Sequence, residues 1–568
     1  MVIILISETF FTEGNMKKLC TILAVLAVSL SFAACSKAEP VVETKTGEAD
    51  GYGGKITAVV TTTDGVITDL ELTGEKETPA IGGAALEPLK EAIVKAGKVE
   101  GVEAVAGATW TSNGVFNAVN AALGVTVDDG KGDTTEASAS GLYAGLGVVT
   151  TPRLGPGKDD KDIPVYSFNE VAAYVVLDEN KKIVDLEVDI LEIITPNHDD
   201  AEDNYLAGWP GATYSADMDG DGTAEGVLEE TEDVFTESLT QWKTKRQKGS
   251  AYKMNSGTWE GEMDIYENFF KGKTADEVVE FFTNCCSDLN GRPLNGKSEK
   301  DADVEKAGKL TDEQKAQIDA VSGATMSLND AHGDIVGAIV KACENARPVE
   351  TDKDIAKVGL GIEVTPRLGP GKDDQEVPVY SFNTVFTGVL LDADGKFVSV
   401  TTDILEVITP NHDGADDNVF AGWPGQSYNN DENADGVVDG VLEQTEDTFV
   451  ETLKGYRTKR DLGTAYKMKS GTWTEEMNIY EASFVGKTAD EVKAWVDACF
   501  SDLNGRPLNG NSDKDADVEK AGKLTDDQKA SIDAISGATM SLTDAHGNIV
   551  NSLVKAYEVA KDSVIKLG

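Results

Sequence analysis

The sequence predicts an α+β fold of three related modules, each an antiparallel sheet with packed helices. Residues 54–74 form a pattern of two strands about Asp64-Gly65, a dipeptide typical of hairpin turns. Residues 85–97 then space their apolar side chains as a helix does. The 568-residue chain also repeats itself at an offset of 214 residues, in the same order of strand, turn, strand and helix. Long insertions enlarge the second and third modules.

The N-terminus has the pattern of an export signal. Met16-Lys17-Lys18 precedes an apolar run at 19–35 that ends in Phe32-Ala33-Ala34-Cys35. This ending resembles a bacterial lipobox, which implies cleavage before Cys35, lipid attachment to its thiol and tethering to the outer face of the membrane. Translation would then start at Met16. An uncleaved anchor helix is the alternative, but the run is short for a membrane span.

These patterns predict the domain boundaries. The predicted segments are a secretory and lipoprotein signal at 1–34, a polar tether at 35–50, the first module at 51–126, a linker at 127–140, repeat A at 141–348, a short link at 349–354 and repeat B at 355–562.

Charge and cysteine usage exclude several classes of function. The formal net charge is −49, which would repel nucleic acid, so we expect no nucleic-acid partner. An acidic, well-solvated surface with no special cation partner explains the charge equally well. Four cysteines match neither a disulfide framework nor a metal motif, and we expect them to be small buried apolar residues. They are Cys285, Cys286, Cys343 and Cys499.

A small-residue motif occurs three times. Residues 319–325 read DAVSGAT and residues 533–539 read DAISGAT, whereas the copy at 103–109 reads EAVAGAT. The first copy thus replaces Asp by Glu and Ser by Ala. Each copy ends in a threonine.

Residues 54–89, followed by GATWTS at 107–112, resemble the FMN-binding domain of electron-transfer subunits of sodium-pumping NADH:quinone reductases and of secreted flavin reductases. In that family a separate FAD:protein FMN transferase esterifies the threonine of Asp-x-x-Ser-Gly-Ala-Thr to the phosphate of FMN. The resemblance therefore implies covalent FMN at Thr325 and Thr539, and a less complete motif at Thr109. The implied cofactor-binding residues are Asp319, Ser322, Gly323, Ala324 and Thr325, their counterparts Asp533, Ser536, Gly537, Ala538 and Thr539, and Thr109.

The residue types suit such a linkage. Threonine supplies a hydroxyl, and Gly and Ala allow a phosphate to approach backbone N–H groups. A following helix would present its N-terminal dipole to the anion, and we hypothesise that Asp319 and Asp533 position the hydroxyl or a metal. A plain turn that caps a helix is the alternative. His332 and His546 fall two turns along the predicted helix, where they contact either the flavin or a structural partner.

The insertions contain a second candidate site. Oxygen-bearing residues alternate over 217–225 and again over 431–439, with Gly222 and Gly436 at the sixth position, as in an EF-hand-type Ca²⁺ loop. The bidentate Glu at position twelve is replaced by Leu in both copies. An Asp/Gly-rich turn is the alternative to a Ca²⁺ site. The predicted ligands are Asp217, Asp219, Asp221, Thr223 and Glu225, and Asp431, Asn433, Asp435, Val437 and Asp439.

The combined interpretation is a lipid-anchored flavoprotein outside the cell that relays electrons through covalent FMN. The sequence has no nicotinamide fingerprint and no evident substrate acid or base, which favours a carrier over a self-contained reductase. Its partners would be the FMN transferase, a membrane electron donor and an extracytoplasmic acceptor. The alternative is a calcium-stabilised surface-binding lipoprotein whose modules carry no cofactor.

Overall fold

The structure is a computed structural model that divides into two units, 1–128 and 129–568. It describes residues 41–50, 55–63, 65–74, 82–99, 102, 105, 109–123, 140–158, 164–198, 203–216, 226–252, 254, 257–372, 377–412, 418–430, 440–466, 468 and 471–567.

The first unit is a three-stranded antiparallel sheet with two helices. Its elements are β1 (Val42–Asp50), β2 (Lys55–Thr63), β3 (Val66–Thr73), α1 (Gly82–Ala96) and α2 (Thr109–Leu123). The predicted hairpin is present, and Gly65 adopts the positive φ of 83° that its turn requires. Side chains on one face of β2 are buried against the helices, as its alternation of burial indicates.

Strand β1 lies in the segment that the sequence analysis assigns to the tether. Its polar composition conceals a strand because most of its side chains are exposed. Gly47 allows the strand to lie directly against α2, because a Cβ at this residue would lie 2.2 Å from the carbonyl oxygen of Ala118 in that helix. The strand therefore packs backbone against backbone instead of through large apolar side chains.

The second unit contains both repeats. Repeat A comprises β4 (Tyr143–Lys158), β5 (Pro164–Leu177), β6 (Ile183–Ile194), β7 (Asn204–Tyr205), β8 (Thr213–Ala216), β9 (Gly226–Glu229), α3 (Glu232–Gln241), α4 (Lys245–Lys248), a 3₁₀ turn (Gly249–Ala251), α5 (Trp259–Phe270), α6 (Ala275–Cys285), α7 (Asp301–Gly308), α8 (Asp312–Ala320), β10 (Asn329–Asp330), β11 (Gly333–Asp334), α9 (Ile335–Glu344) and β12 (Arg347–Pro348).

Repeat B has the same order, except that its described residues form no hairpin equivalent to β10 and β11. It comprises β13 (Ile355–Lys372), β14 (Pro378–Leu391), β15 (Phe397–Ile408), β16 (Asn418–Val419), β17 (Ser427–Asn430), β18 (Gly440–Glu443), α10 (Glu446–Lys454), α11 (Lys459–Leu462), a 3₁₀ turn (Gly463–Ala465), α12 (Trp473–Phe484), α13 (Ala489–Cys499), α14 (Asp515–Ala521), α15 (Asp526–Asp533), α16 (Ile549–Glu558) and β19 (Lys561–Ile565).

The repeats form two five-stranded sheets that pack face to face, in the orders β12-β4-β5-β6-β7 and β16-β15-β14-β13-β19. Trp209 Nε1 donates to the Phe420 carbonyl (2.6 Å), and Trp423 Nε1 donates to the Leu206 carbonyl (2.6 Å). These reciprocal bonds indicate an approximate two-fold relation between the repeats. Helices α5, α6 and α9 cover the outer face of one sheet, and α12, α13 and α16 cover the other. Both repeats therefore share one apolar core between their sheets.

The same contact between a strand glycine and a helix occurs in each of the three modules. The first strand of repeat A approaches α9 at Gly145, where a Cβ would lie 2.1 Å from the Ala342 carbonyl oxygen. Gly359 makes the same approach to Ala556 in α16, at 2.2 Å, and Gly47 does so in the first unit. The α+β prediction is confirmed. That both repeats are FMN-binding-type modules stays a prediction, which this shared strand-to-helix packing favours.

Candidate functional site

The first copy of the motif ends at the start of a helix. Thr109 is the first residue of α2, so the N–H groups of the first helical turn, which precede the i→i−4 hydrogen bonds of the helix, lie next to it. The Ser112 hydroxyl accepts the Val105 N–H (3.0 Å), which ties the preceding segment to that turn. The side chains of 106–110 lie outside the description. The backbone position alone suits an anion, since the positive end of the helix dipole lies there.

The two later copies lie in turns after α8 and α15. Ser322 and Gly323 are exposed, whereas Ala324 is fully buried and anchors the turn. A Cβ at Gly323 would lie 2.7 Å from Ile265 Cδ1 of α5, so this position has little room for a side chain. In repeat B, Ser536 and Gly537 are exposed and Ala538 is buried in the same way. The motif residues thus form a tight turn on the surface of a helix.

A buried glutamate holds the threonine of the first turn. Glu262 of α5 is 3% exposed, and its Oε2 accepts the N–H groups of Thr325 (2.6 Å) and Met326 (2.8 Å). The Thr325 hydroxyl donates toward the same carboxylate, with Oγ1 3.2 Å from both oxygens. Hydrogen bonds to a charged group each contribute about 1.5–3 kcal/mol. The carboxylate therefore fixes both the backbone and the hydroxyl of the motif.

Repeat B has the same geometry. Glu476 of α12 accepts the N–H groups of Thr539 (2.6 Å) and Met540 (2.8 Å), and Thr539 Oγ1 lies 3.2 Å from both of its oxygens. Thr325 is half-buried and Thr539 is exposed. Both hydroxyls thus contact a buried carboxylate, whereas the Ser-Gly residues of the same turns are exposed.

A tyrosine one helical turn further along makes a second contact. The Tyr266 hydroxyl donates to the Met326 carbonyl (3.0 Å), and the Tyr480 hydroxyl donates to the Met540 carbonyl (2.8 Å). These bonds hold the turn without touching the threonine hydroxyl. The glutamate and tyrosine contacts can therefore be tested separately.

The sequence analysis missed both glutamates. Glu262 precedes Thr325 by 63 residues, and hydrophobic periodicity carries no information over that separation. A signal was present in the duplication, because Trp-x-x-Glu-Met-x-Ile-Tyr recurs at 259–266 and 473–480 within otherwise divergent helices. Asp319 and Asp533, which were expected to position the hydroxyls, are exposed at the ends of α8 and α15.

The helix predicted directly after the motif begins later in both repeats. Helices α9 and α16 begin at Ile335 and Ile549, ten residues beyond the threonines. The intervening residues contain turns, and the side chains of Asp334 and Asn548 cap the helices by accepting the N–H groups of their third residues. The expectation that these two motif copies open a helix is therefore wrong, whereas α2 begins at the first copy.

The two histidines lie in these intervening segments and not on a helix. His332 Nδ1 lies 3.0 Å from both oxygens of Asp330, and His546 Nδ1 lies 2.8 Å from Asp544 Oδ2. Each ring thus has a carboxylate partner two residues away. Of the two alternatives in the sequence analysis, the structure supports the structural histidine.

A buried ionic cluster supports the same segment. Lys245 Nζ donates to the His332 carbonyl (3.3 Å) and lies 3.4 Å from Glu192 Oε2. Arg153 (3.2 Å) and the Tyr252 hydroxyl (3.2 Å) also contact Glu192. Burial alone would raise the pKa of Glu192, but Lys245 and Arg153 outweigh it and lower that pKa to about 2. Repeat B repeats the cluster with Glu406, Lys459, Arg367 and Tyr466.

The remaining predicted sites are only partly covered. Both calcium loops and Cys35 lie outside the described residues, although the hairpins β8–β9 and β17–β18 flank the loops. Within the described ranges, no group of three or more His, Cys, Asp or Glu side chains is arranged to hold a metal ion. No helix in those ranges is both long and apolar enough to cross a membrane. Cys285, Cys286 and Cys499 are buried as expected, and Cys343 is half-buried.

Comparison with known proteins identifies the first unit. Residues 51–124 match the model of the FMN-binding domain. These residues belong to the FMN-binding domain family. The match includes Thr109 and the start of α2, and it confirms the resemblance for this part of the chain. An FMN-binding domain supports a flavoprotein role for the protein.

A curated relative extends the comparison. The chain is 32% identical over 222 residues to a chlorophenol reductase of Desulfitobacterium hafniense. The match covers 38% of this chain and 61% of that protein. The chain therefore spans less than two thirds of the relative, whose name describes a reduction.

Proposed function

We propose that the protein is an electron carrier that holds FMN covalently through the threonines of its motif copies. The observation that carries the proposal is the match of residues 51–124 to the FMN-binding domain family, with Thr109 at the first position of α2. The bound flavin would accept electrons from one partner and pass them to another. The reductase relative supports electron delivery to a reduction.

The residues at all three motif copies fit such a group. At Thr109, the start of α2 supplies N–H groups and a helix dipole for a phosphate. At Thr325 and Thr539, the hydroxyl is held by a carboxylate and its turn is exposed through Ser-Gly. A modifying enzyme can therefore approach the hydroxyl from solvent. The partner that attaches FMN would be an FAD:protein FMN transferase.

The location proposed for this carrier is the outer face of the membrane. Lipid attachment at Cys35 would keep it there, between a membrane electron donor and an extracytoplasmic acceptor. Covalent attachment suits that location, since a diffusible cofactor would be lost outside the cell. We also propose that the loops at 217–225 and 431–439 bind Ca²⁺, supported by their alternating oxygen ligands.

The test is loss of flavin on removal of the hydroxyls. The full chain is expressed with the transferase, and flavin fluorescence is measured on a denaturing gel. Thr325→Ala plus Thr539→Ala should remove the FMN at those two sites, and adding Thr109→Ala should abolish the fluorescence. Expression without the transferase is the control. Undiminished fluorescence in the triple variant would refute covalent attachment at these threonines.

A further inference from the structure

We propose that Glu262 and Glu476 accept the proton of the threonine hydroxyl when Thr325 and Thr539 are modified with FMN. The inference rests on the proposed function and assigns a chemical role to residues outside the motif. A threonine hydroxyl is a weak nucleophile and is activated by an adjacent general base. A candidate base must lie within hydrogen-bond reach of the proton that it removes.

The geometry meets that requirement in both repeats. Each carboxylate presents both oxygens at 3.2 Å to its threonine Oγ1. Two backbone N–H groups fix the orientation of the carboxylate, at 2.6 and 2.8 Å. The base is therefore preorganised and is held in place by the same turn that carries the nucleophile.

The chemistry balances without an oxidant or a reductant. The Thr325 O–H bond breaks and its proton passes to Glu262. Oγ1 forms a bond to the phosphorus on the FMN side of a flavin adenine dinucleotide, the substrate of the transferase. The phosphoanhydride bond breaks, and AMP leaves with the electron pair. Thr325 Oγ1 is then joined to FMN through a phosphodiester.

Transfer of the proton to Glu262 also removes a repulsion between two negative charges. A phosphodiester carries one negative charge, and a buried carboxylate beside it would be strongly repelled. After the transfer, Glu262 holds the proton and is uncharged. The proton acceptor thus removes its own charge as the new charge forms.

A purely structural role is the competing explanation, because Glu262 also holds the turn. Glu262→Gln separates the two roles. Glutamine keeps the side-chain length and an oxygen that accepts the two N–H groups, but it cannot accept the proton. Tyr266→Phe is the matched control, since it removes the other bond to the turn and leaves the hydroxyl and the carboxylate unchanged.

The experiment follows FMN attachment over time in the unmodified full chain with transferase and FAD. Mass spectrometry of the motif peptides gives separate rates at Thr325 and Thr539 in one reaction. The ratio of these rates cancels the properties of the transferase. General-base catalysis is worth about 10²–10⁴-fold, so Glu262→Gln should lower the ratio about 100-fold or more. Glu476→Gln should raise it equally, and Tyr266→Phe should leave it near the wild-type value.

Rescue by the conservative variant Glu262→Asp supplies a readout that a structural role would not move. Melting temperatures check folding, and Glu262→Asp serves if the glutamine variant unfolds. Aspartate keeps the carboxylate, so part of the rate should return.

Three outcomes overturn the inference. One is wild-type attachment at Thr325 in Glu262→Gln. Another is equal slowing by Tyr266→Phe. The third is a wild-type chain that carries FMN at Thr109 but not at Thr325 or Thr539, which leaves the flavoprotein proposal standing. A chain without FMN at any of the three threonines refutes the proposed function together with the inference.

Discussion

The first motif copy and the two later copies use the same small residues in different structural settings. Thr109 begins α2, whereas Thr325 and Thr539 precede their helices by ten residues and rest on a buried glutamate. In the first unit the helix terminus is the feature that suits a phosphate. In the repeats, a carboxylate from α5 or α12 takes the place next to the hydroxyl. The motif sequence alone therefore does not determine which groups lie next to its threonine. The packing of the rest of the module determines them.

The largest effect on the difference between the two settings is expected from the buried ionic cluster around Glu192. This cluster supports the segment between Thr325 and α9 in repeat A. Glu192→Gln leaves Lys245 buried, at 2% side-chain exposure, without its carboxylate. Removal of one partner of a buried ion pair costs about 3–5 kcal/mol. We expect this loss in urea unfolding of the second unit, with the first unit unchanged.

Exposed Glu179 offers a matched control, since Glu179→Gln removes the same charge from the surface of repeat A. This variant should change the free energy of unfolding by less than about 0.5 kcal/mol. A Glu192→Gln variant as stable as Glu179→Gln would show that the cluster does not support the segment.

A weaker effect is expected from acid. The pKa of Glu192 lies at about 2 in the folded chain against an ordinary 4.5, so its contribution is complete above pH 4.5 and is lost as the pH falls toward 2. This difference corresponds to about 3 kcal/mol. Glu406 also has a lowered pKa and should act in the same direction.

Urea unfolding of wild type and Glu192→Gln between pH 5 and pH 2 measures this contribution. The stability difference between the two chains should shrink across that range. A difference that is independent of pH would contradict the assignment to the Glu192 carboxylate.

The smallest expected effect is that of calcium, confined to the repeats because the first unit has no such loop in its sequence. At about 1 mM Ca²⁺ and dissociation constants of about 10⁻⁴–10⁻³ M, each site would stabilise by about 0.4–1.4 kcal/mol. Calorimetry with Ca²⁺ and with a chelator measures this shift in melting temperature.

Removal of one acidic ligand from each loop is the control for the calcium effect. A chain with Asp219→Asn and Asp435→Asn should melt at the same temperature in both buffers, because each loop then lacks a charged oxygen ligand. A wild-type chain whose melting temperature is the same with Ca²⁺ and with the chelator would refute the calcium proposal.

Much of the fold could be predicted from local pattern. The turn at Gly65 and helix α1 follow from residues that interact with near neighbours. The duplication gives the shared order of elements in the repeats. The start of α9 was misjudged because the side chain of Asp334 caps a helix that the apolar pattern alone extends backward.

The features that escaped prediction depend on distant parts of the chain. Nothing near Thr325 in the sequence indicates Glu262, since the contact arises only when the motif turn packs on α5. The face-to-face packing of the two sheets was not predicted for the same reason, although β5 is buried along almost its whole length. A strand buried on both faces has no alternation to reveal its partner. Strand β1 was missed because Gly47 packs through its backbone.

Site-resolved mass spectrometry of the wild-type chain, expressed with the FMN transferase, tests the central claim most directly. The account predicts one FMN on each peptide that contains Thr325 and Thr539, in equal amounts because the two glutamate sites have the same geometry, and FMN on the Thr109 peptide. Unmodified peptides at both Thr325 and Thr539 would contradict it.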